Sequence, residues 1–326
     1  MIILVCGGAG YIGSHMCKRL ARDGHVPVTF DNLSTGHEWA VKWGPLIRAD
    51  LLDPAALAKV FREHSIDAVM HFAARSIVSE SVRNPGLYFR NNVTGTLNLL
   101  DAMAENGVTK LVFSSTAAVY GNPLYTPIDE THPCAPINPY GWSKWMAERA
   151  IEEYCRAGAL RAVSLRYFNA AGADADGEIG ESHDPETHLI PNMIRAALDP
   201  SSRPVQIFGH DYATPDHTCI RDYIHVDDLC EAHLLALESL AESGRFRAFN
   251  LGSGNGHSVA EVLAVCRAQC DGEPEAEFVD RREGDPPTLV ASNVAAASAL
   301  GWKPNRGLAD CIGTALAWHR GIASQR

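Results

Sequence analysis

Two side chains in the stretch NPYGWSK, residues 138–144, are placed to handle a proton: Tyr140 and Lys144. If the stretch is helical, a spacing of four puts both on one face, where an ammonium can act on the pKa of a phenol. Tyrosine is a poor base at its ordinary pKa of about 10, and a nearby positive charge is what would make a phenolate usable near neutrality. The same spacing begins many ordinary amphipathic helices, so the pair takes its meaning from its surroundings. A third group comes from LVFSSTAAVYG at 111–121, which reads as a buried strand releasing hydroxyl residues at its C-terminal end. In a doubly wound sheet that edge is where ligands sit. There the hydroxyl of Thr116, the phenol of Tyr140 and the ammonium of Lys144 would converge beside a nicotinamide. Tyr140 is then the expected base, with Lys144 and the oxidised ring lowering its pKa.

The nicotinamide is implied by GGAGYIG at 7–13, where Gly7, Gly10 and Gly13 form G-x-x-G-x-x-G between a strand and a helix. Glycines there allow a tight turn and close approach of a pyrophosphate, which rests on the helix N-terminus. Eighteen residues beyond Gly13 the second strand ends at Asp31. A carboxylate in that place accepts hydrogen bonds from both ribose hydroxyls and repels a 2′-phosphate, which selects NAD over NADP. Asp50, in Ala49-Asp50-Leu51, is a candidate for the adenine amino group. In His71-Phe72-Ala73-Ala74 the small residues let a dinucleotide pass, and His71 reads as a packed strand histidine.

The elements that must position these groups follow from the hydrophobic pattern. Strands are predicted at Ile2–Cys6, Val26–Asp31, Leu46–Ala49, Ala68–Phe72, Lys110–Ser114 and Ala162–Arg166. Helices are predicted at Gly13–Asp23, Ala55–His64, Thr94–Asn106 and Tyr140–Ala157. That alternation predicts an α/β fold, a Rossmann-type doubly wound parallel sheet, with a smaller C-terminal α/β lobe for substrate. The expected division is a dinucleotide-binding half at 1–168 and a substrate half at 169–326, of which about 218–252 returns to the first. Beyond residue 169 the pattern loosens. Helices are expected at Leu189–Asp199, Asp227–Ser239, Ser258–Cys270 and Leu308–His319, and a short strand at Phe249–Leu251.

Composition narrows the function classes. A net charge of −11 disfavours a general binder of nucleic acid or anionic membranes. No apolar run reaches the roughly 18 residues of a membrane span, and MIILVCGG lacks the basic lead of a signal peptide. The nine cysteines show no C-x-x-C pair, which suggests free thiols in a reducing, cytoplasmic setting. Cys266 and Cys270 make a poor zinc half-site, and no metal is assigned.

Taken together, these motifs resemble the extended short-chain dehydrogenase/reductase family along nearly the whole chain. GGAGYIG, FSSTAAVYG, PYGWSK and RYFNAAG at 166–172 carry the likeness. More specific still are IFGHDYATPDHTCIRDYIHVDDL at 207–229, NLGSGNGHSV at 250–259 and RREGDPP at 281–287. The resemblance implies tightly held NAD. It adds Tyr11, Ile12, Asn32, Leu51, Phe72, Ala73, Ala74, Asn91, Ser114 and Tyr167 to the cofactor contacts. It implies a UDP-sugar substrate inverted at carbon 4 through a transient 4-keto sugar, with UDP-glucose and UDP-galactose the expected pair. Substrate contacts implied alongside Thr116 and Tyr140 are Phe168, Asn169, His188, Leu189, Arg221, Tyr223, Arg282, Asp285 and Leu289. Two guanidiniums suit a diphosphate, although Arg221 has the simpler reading of an ion pair with Asp222 or Asp227. Leu289 stands where relatives carry tyrosine, cysteine or serine, which leaves acceptance of N-acetylated sugars open. The alternatives are a 4-epimerase of another UDP-sugar, a 4,6-dehydratase, and a silent NAD-binding sensor. The dehydratase is disfavoured because Ala117-Ala118 follows Thr116 in place of an Asp-Glu pair. A homodimer through paired helices is the expected assembly.

Overall fold

The computed structural model describes residues 1–199, 201–240, 246–270, 272–282 and 285–323. Of RREGDPP, residues 283–284 lie outside that set. The strands are β1 (Ile2–Cys6), β2 (Val26–Asp31), β3 (Leu46–Arg48), β4 (Ala68–His71), β5 (Lys110–Thr116), β6 (Arg161–Tyr167), β7 (Asn169–Ala171), β8 (Val205–Phe208), β9 (Ile220–His225), β10 (Arg247–Leu251), β11 (Gly256–Ser258), β12 (Ala276–Val279) and β13 (Thr288–Leu289). The helices are α1 (Tyr11–Arg22), α2 (Pro54–Glu63), α3 (Val78–Arg83), α4 (Pro85–Tyr88), α5 (Gly95–Glu105), α6 (Pro139–Arg156), α7 (Leu189–Leu198), α8 (Val226–Ser239), α9 (Val259–Gln269), α10 (Val294–Leu300) and α11 (Leu308–Ala323).

The large sheet runs β10-β6-β5-β4-β1-β2-β3, and each of its pairings is parallel. Parallel strands covered on both faces carry continuous apolar runs, as IILVC of β1 does. On one face Met16 and Leu20 of α1 pack with Leu229, Ala232 and Ala236 of α8. On the other, Leu57 and Val60 of α2, Leu99 and Met103 of α5, and Ala147 and Ile151 of α6 bury together. The chain order reverses direction around β1 and β4, and a crevice outside the strand ends is the consequence.

Predicted elements in the first half differ from the observed ones by a residue or two at each end. Local signals explain the starts. Asp53 and Asn138 accept hydrogen bonds from the first turns of α2 and α6, and proline follows each as the first helical residue. By contrast α1 begins at Gly10 with no side-chain cap, so its first N–H groups are free to face an anion.

The second half holds strands that the pattern did not predict. β9 pairs with β7 and β13 in parallel and with β11 antiparallel, and β8 pairs with β12. These strands are two to six residues long and joined by Gly- and Pro-rich segments, too short for periodicity to register. Within 218–252, β9 belongs to the small sheet, whereas α8 and β10 join the large one. A separate core of Met193, Ile194, Val262, Cys266, Cys311 and Ile312 unites α7, α9 and α11.

Candidate active site

The glycine loop closes on itself. Gly7 adopts φ +80°, and a Cβ on Gly13 would stand 2.1 Å from the Gly7 carbonyl oxygen. No side chain fits there, so the loop lies flat against the open end of α1, the cradle a pyrophosphate requires. Gly13→Ala is expected to cost about 1–3 kcal/mol through overpacking and to empty the purified protein of dinucleotide. The thermal midpoint and the absorbance of released nucleotide would check both.

Asp31 ends β2 with its carboxylate aimed back at the loop. Oδ2 accepts from the Ala9 N–H at 3.0 Å and Oδ1 from the Leu33 N–H at 2.8 Å. Burial pushes its pKa up, and the two amides oppose that shift. Asn32 and Asp50 are joined, Asn32 Nδ2 donating to Asp50 Oδ2 at 2.8 Å, while Asp50 Oδ1 takes the Leu52 N–H. Asn32 and the adenine candidate Asp50 therefore meet as one hydrogen-bonded unit beside Leu51, which is packed into the core. Ala73 approaches Gly7 so closely that its N would lie 2.6 Å from a Cβ there. His71 is buried, with Nε2 3.0 Å from Thr96 Oγ1, and burial lowers its pKa to about 3, as befits a packing residue.

Thr116 and Tyr140 do come together: the threonine side chain lies close enough to pull the phenol's pKa down against burial, and Thr116 Oγ1 accepts from the Ala118 N–H at 3.1 Å. Gly141 is needed beside them because a Cβ there would lie 2.5 Å from the Ala118 carbonyl oxygen. Tyr88 meets the Tyr140 ring edge-on at 6.4 Å. Lys144 is buried, Nζ donating to the Ser114 carbonyl at 2.8 Å and lying 4.8 Å from the centre of the Phe113 ring. Ser114 Oγ bonds the Tyr167 hydroxyl.

Burial pushes the Tyr140 phenol above its ordinary value, and the opposing pull comes from Thr116. The same desolvation brings Lys144 down to about 7, against the attraction of Glu148, so this lysine holds its charge weakly near neutrality. Because its folded pKa lies below the unfolded value, the unfolded chain binds more protons between about pH 7 and 10.5. Lys144 therefore weighs on stability in full below pH 7 and is relieved as pH rises through that window. Denaturation of wild type and Lys144→Met at pH 6.5 and 9 should show the variant's advantage shrinking at the higher pH.

Several positioning residues escaped the sequence reading. Phe89–Thr94 forms a π-helical turn, an arrangement frequent at functional sites. It turns Asn92 inward, whose Nδ2 donates to Ser143 Oγ at 2.9 Å and to the Arg75 carbonyl at 3.0 Å, while Asn91 Nδ2 donates to Asn92 Oδ1. Below the catalytic groups Glu148 and Arg166 form a buried ion pair. Ser115 and Ser164 donate to Glu148 Oε1, and Arg166 Nη1 donates to the Tyr120 hydroxyl at 2.9 Å. A legible signal existed: Glu148 follows Lys144 by four and Tyr140 by eight, on the same helix face.

The substrate candidates line the small sheet and its loops. Asn169 pairs with Tyr223 in register, and Leu289 with Arg221. Arg221 Nη1 donates to the Ile220 and Pro286 carbonyls, and Nη2 stands 3.4 Å from Asp285. The simpler reading of Arg221, an ion pair with Asp222 or Asp227, does not hold, and its ionic partner is Asp285. Asp222 is buried and engaged by the N–H groups of Ser253, Gly254 and Ala291, and Asp227 faces Arg306 at 3.5 Å. Arg282 stacks over Phe208 at 3.7 Å. Burial raises the Cys219 pKa, with Arg221 and Arg282 opposing the shift and Asp285 adding to it. A cleft lined by 122–126 and 285–288 opens beside Asp285. Leu289 and Phe168 pack against Val119, Tyr120 and Ile128, directly after Thr116. His188 precedes Leu189 at the start of α7 without a side-chain capping bond, its Nδ1 held by Glu181 and Glu186.

Comparison with known proteins gives consistent results. The family model described as "NAD dependent epimerase/dehydratase family" matches residues 3–252. The UDP-glucose 4-epimerase of Rhizobium leguminosarum bv. trifolii is 50% identical over 317 residues, 97% of each chain. The crystal structure of UDP-glucose 4-epimerase from Brucella ovis in complex with NAD is 48% identical, with TM-score 0.94 over 97% of both chains. That of the Bifidobacterium longum enzyme in complex with NAD+ and UDP is 34% identical, with TM-score 0.94 over 100% of both.

Proposed function

We propose, since this chain belongs to the NAD dependent epimerase/dehydratase family, that it interconverts UDP-glucose and UDP-galactose by inverting carbon 4 of the hexose. The observation that carries this reading is the geometry at the C-terminal end of β5, where Thr116 ends the strand, Lys144 Nζ bonds the Ser114 carbonyl and Gly141, next to Tyr140, packs against Ala118. The relatives' names supply the substrate.

Gly7, Gly10 and Gly13 would hold NAD with Asp31 toward its ribose, and the dinucleotide would supply reversible hydride acceptance at the sugar carbon. Tyr140 Oη takes the proton of the 4-hydroxyl, and Thr116 holds the same oxygen as it becomes a carbonyl. Arg221 and Arg282 grip the diphosphate and Asp285 the nucleotide ribose, so the 4-keto sugar stays in the site. It turns about the phosphate linkage, and Tyr140 returns the proton to the oxygen on the opposite stereochemistry. No net oxidation results. Elimination of water needs an acid–base pair after Thr116, and Ala117-Ala118 offers none.

We assign 1–168 to the dinucleotide half and 169–326 to the UDP-sugar half, with α8 and β10 returning to the first. A homodimer through α5 and α6 is supported by Trp142 and Met146, which stand 43% and 44% exposed on α6. Among the described residues no helix is long and apolar enough to cross a membrane. Free cysteines suit a cytoplasmic setting.

The test is incubation of the purified protein with UDP-galactose and no added cofactor, followed by chromatography of the nucleotide sugars. UDP-glucose should accumulate to equilibrium with no net change at the NADH absorbance band. Interconversion confined to UDP-N-acetylhexosamines or UDP-glucuronate would replace the substrate assignment, and a requirement for NADPH would overturn the role of Asp31.

A further inference from the structure

The chain between β7 and α7 lies in the half assigned to the UDP-sugar, yet it runs across the dinucleotide half as a strap. At its start the Tyr11 hydroxyl donates to the Gly172 carbonyl at 2.6 Å. Farther on, Lys42 Nζ donates to the Glu178 carbonyl at 2.9 Å, and His37 Nε2 lies 2.6 Å from the Ser182 carbonyl. Helix α11 backs it, with Trp318 Nε1 donating to the Glu181 carbonyl at 3.0 Å. The Trp318 ring leaves no room for a side chain at Gly180, where a Cβ would stand 2.4 Å from it. The strap closes on the start of α1. Gly10 and Tyr11, Thr35 and His37, and Gly180 and Ser182 leave between them a cavity of about 10 Å³, room for about one water molecule.

Each of those fastenings is a single bond to a backbone carbonyl, and one further contact differs in kind. Lys18, two turns into α1, meets Asp174, Asp176 and Glu178 with Nζ, each at 2.7 Å. Asp174 offers it both oxygens, Oδ1 at 2.8 Å and Oδ2 at 2.7 Å. The three carboxylates are gathered by a tight turn, in which the Gly177 N–H donates to the Asp174 carbonyl and the Glu178 N–H to Asp174 Oδ2. Lys18 and Asp174 are mostly withdrawn from water, with side chains 18% and 9% exposed. Without the ammonium, three like charges would face one another with Asp174 largely desolvated. The charge of Lys18 therefore draws the turn onto the helix that carries the glycine loop.

We infer that Lys18 is a positioning residue for the cofactor, latching residues 172–183 across the start of α1 so that a bound dinucleotide leaves only when the strap opens. The inference rests on the NAD site described above, and Lys18 acts on it through the strap. A pyrophosphate would rest on the N–H groups at the start of α1, the place the strap closes on. Release then requires local opening of the strap, an event governed by its own few contacts. Breaking the latch raises the rates of entry and exit together and leaves affinity close to its original value.

The purified holoenzyme, its NAD counted first, is mixed with excess radiolabelled NAD and sampled by gel filtration at intervals. Lys18→Met should exchange at least about 10-fold faster than wild type, the factor carried by one hydrogen bond to a charged group. Lys18→Arg should stay near wild type. Equilibrium dialysis should show Lys18→Met and wild type with similar affinity for NAD. Asp176→Asn with Glu178→Gln, two changes at exposed side chains of the strap itself, should also speed exchange, whether or not Lys18→Met folds. Equal exchange by wild type and that double variant overturns the latch. So does a loss of affinity that matches the faster release, which would make Lys18 part of the binding surface. Wild type that binds added NAD yet emerges empty from gel filtration overturns it as well. No UDP-sugar is present, so these outcomes stand apart from the epimerase assay.

Discussion

Tyr140→Phe is expected to lower turnover by roughly 10²–10⁴-fold, the range that a positioned general acid–base supplies. The substitution removes one oxygen and leaves the ring, its edge contact with Tyr88 and the packing of α6 in place. Dinucleotide and UDP binding should therefore change little, because the glycine loop, Asp31 and the arginines are untouched. Stopped assays with UDP-galactose would give the rate, and calorimetry with UDP the binding. A variant that turns over normally would remove Tyr140 from the reaction. The environment sharpens the expectation: burial works against the phenolate, Thr116 favours it, and Lys144 holds its own charge weakly at about pKa 7.

Glu148→Ala should have the largest effect on stability, about 3–5 kcal/mol, because it strands Arg166 in the core with the Tyr120 hydroxyl as its remaining side-chain acceptor. Ser115 and Ser164 lose their acceptor in the same stroke. Urea denaturation would measure the loss. Replacing both members, Glu148→Met with Arg166→Met, should recover most of it, since an apolar pair of similar volume avoids the stranded charge. A double variant no better than the single one would refute the ion-pair account. Turnover should fall in Glu148→Ala too, because Glu148 helps keep Lys144 protonated and Ser115 adjoins Thr116 on β5.

Much of this molecule is legible without coordinates. The continuous apolar strands, the glycines of the loop, Asp31 eighteen residues on, and the Asn138-Pro139 start of the Tyr140 helix are local statements, each decided by a few neighbouring residues. Local backbone preferences and hydrophobic periodicity suffice for them, and the dinucleotide half follows. Tertiary structure alone decided what depends on distant segments meeting. It paired Arg221 with Asp285, gathered β7, β9, β11 and β13 from four separate stretches, and sank Lys144 so deep that desolvation brings its own pKa down to about 7. It also drew Asp174, Asp176 and Glu178 onto Lys18. Spacing along a chain names the groups that can react; burial and long-range pairing determine their charge, and those are properties of the folded whole.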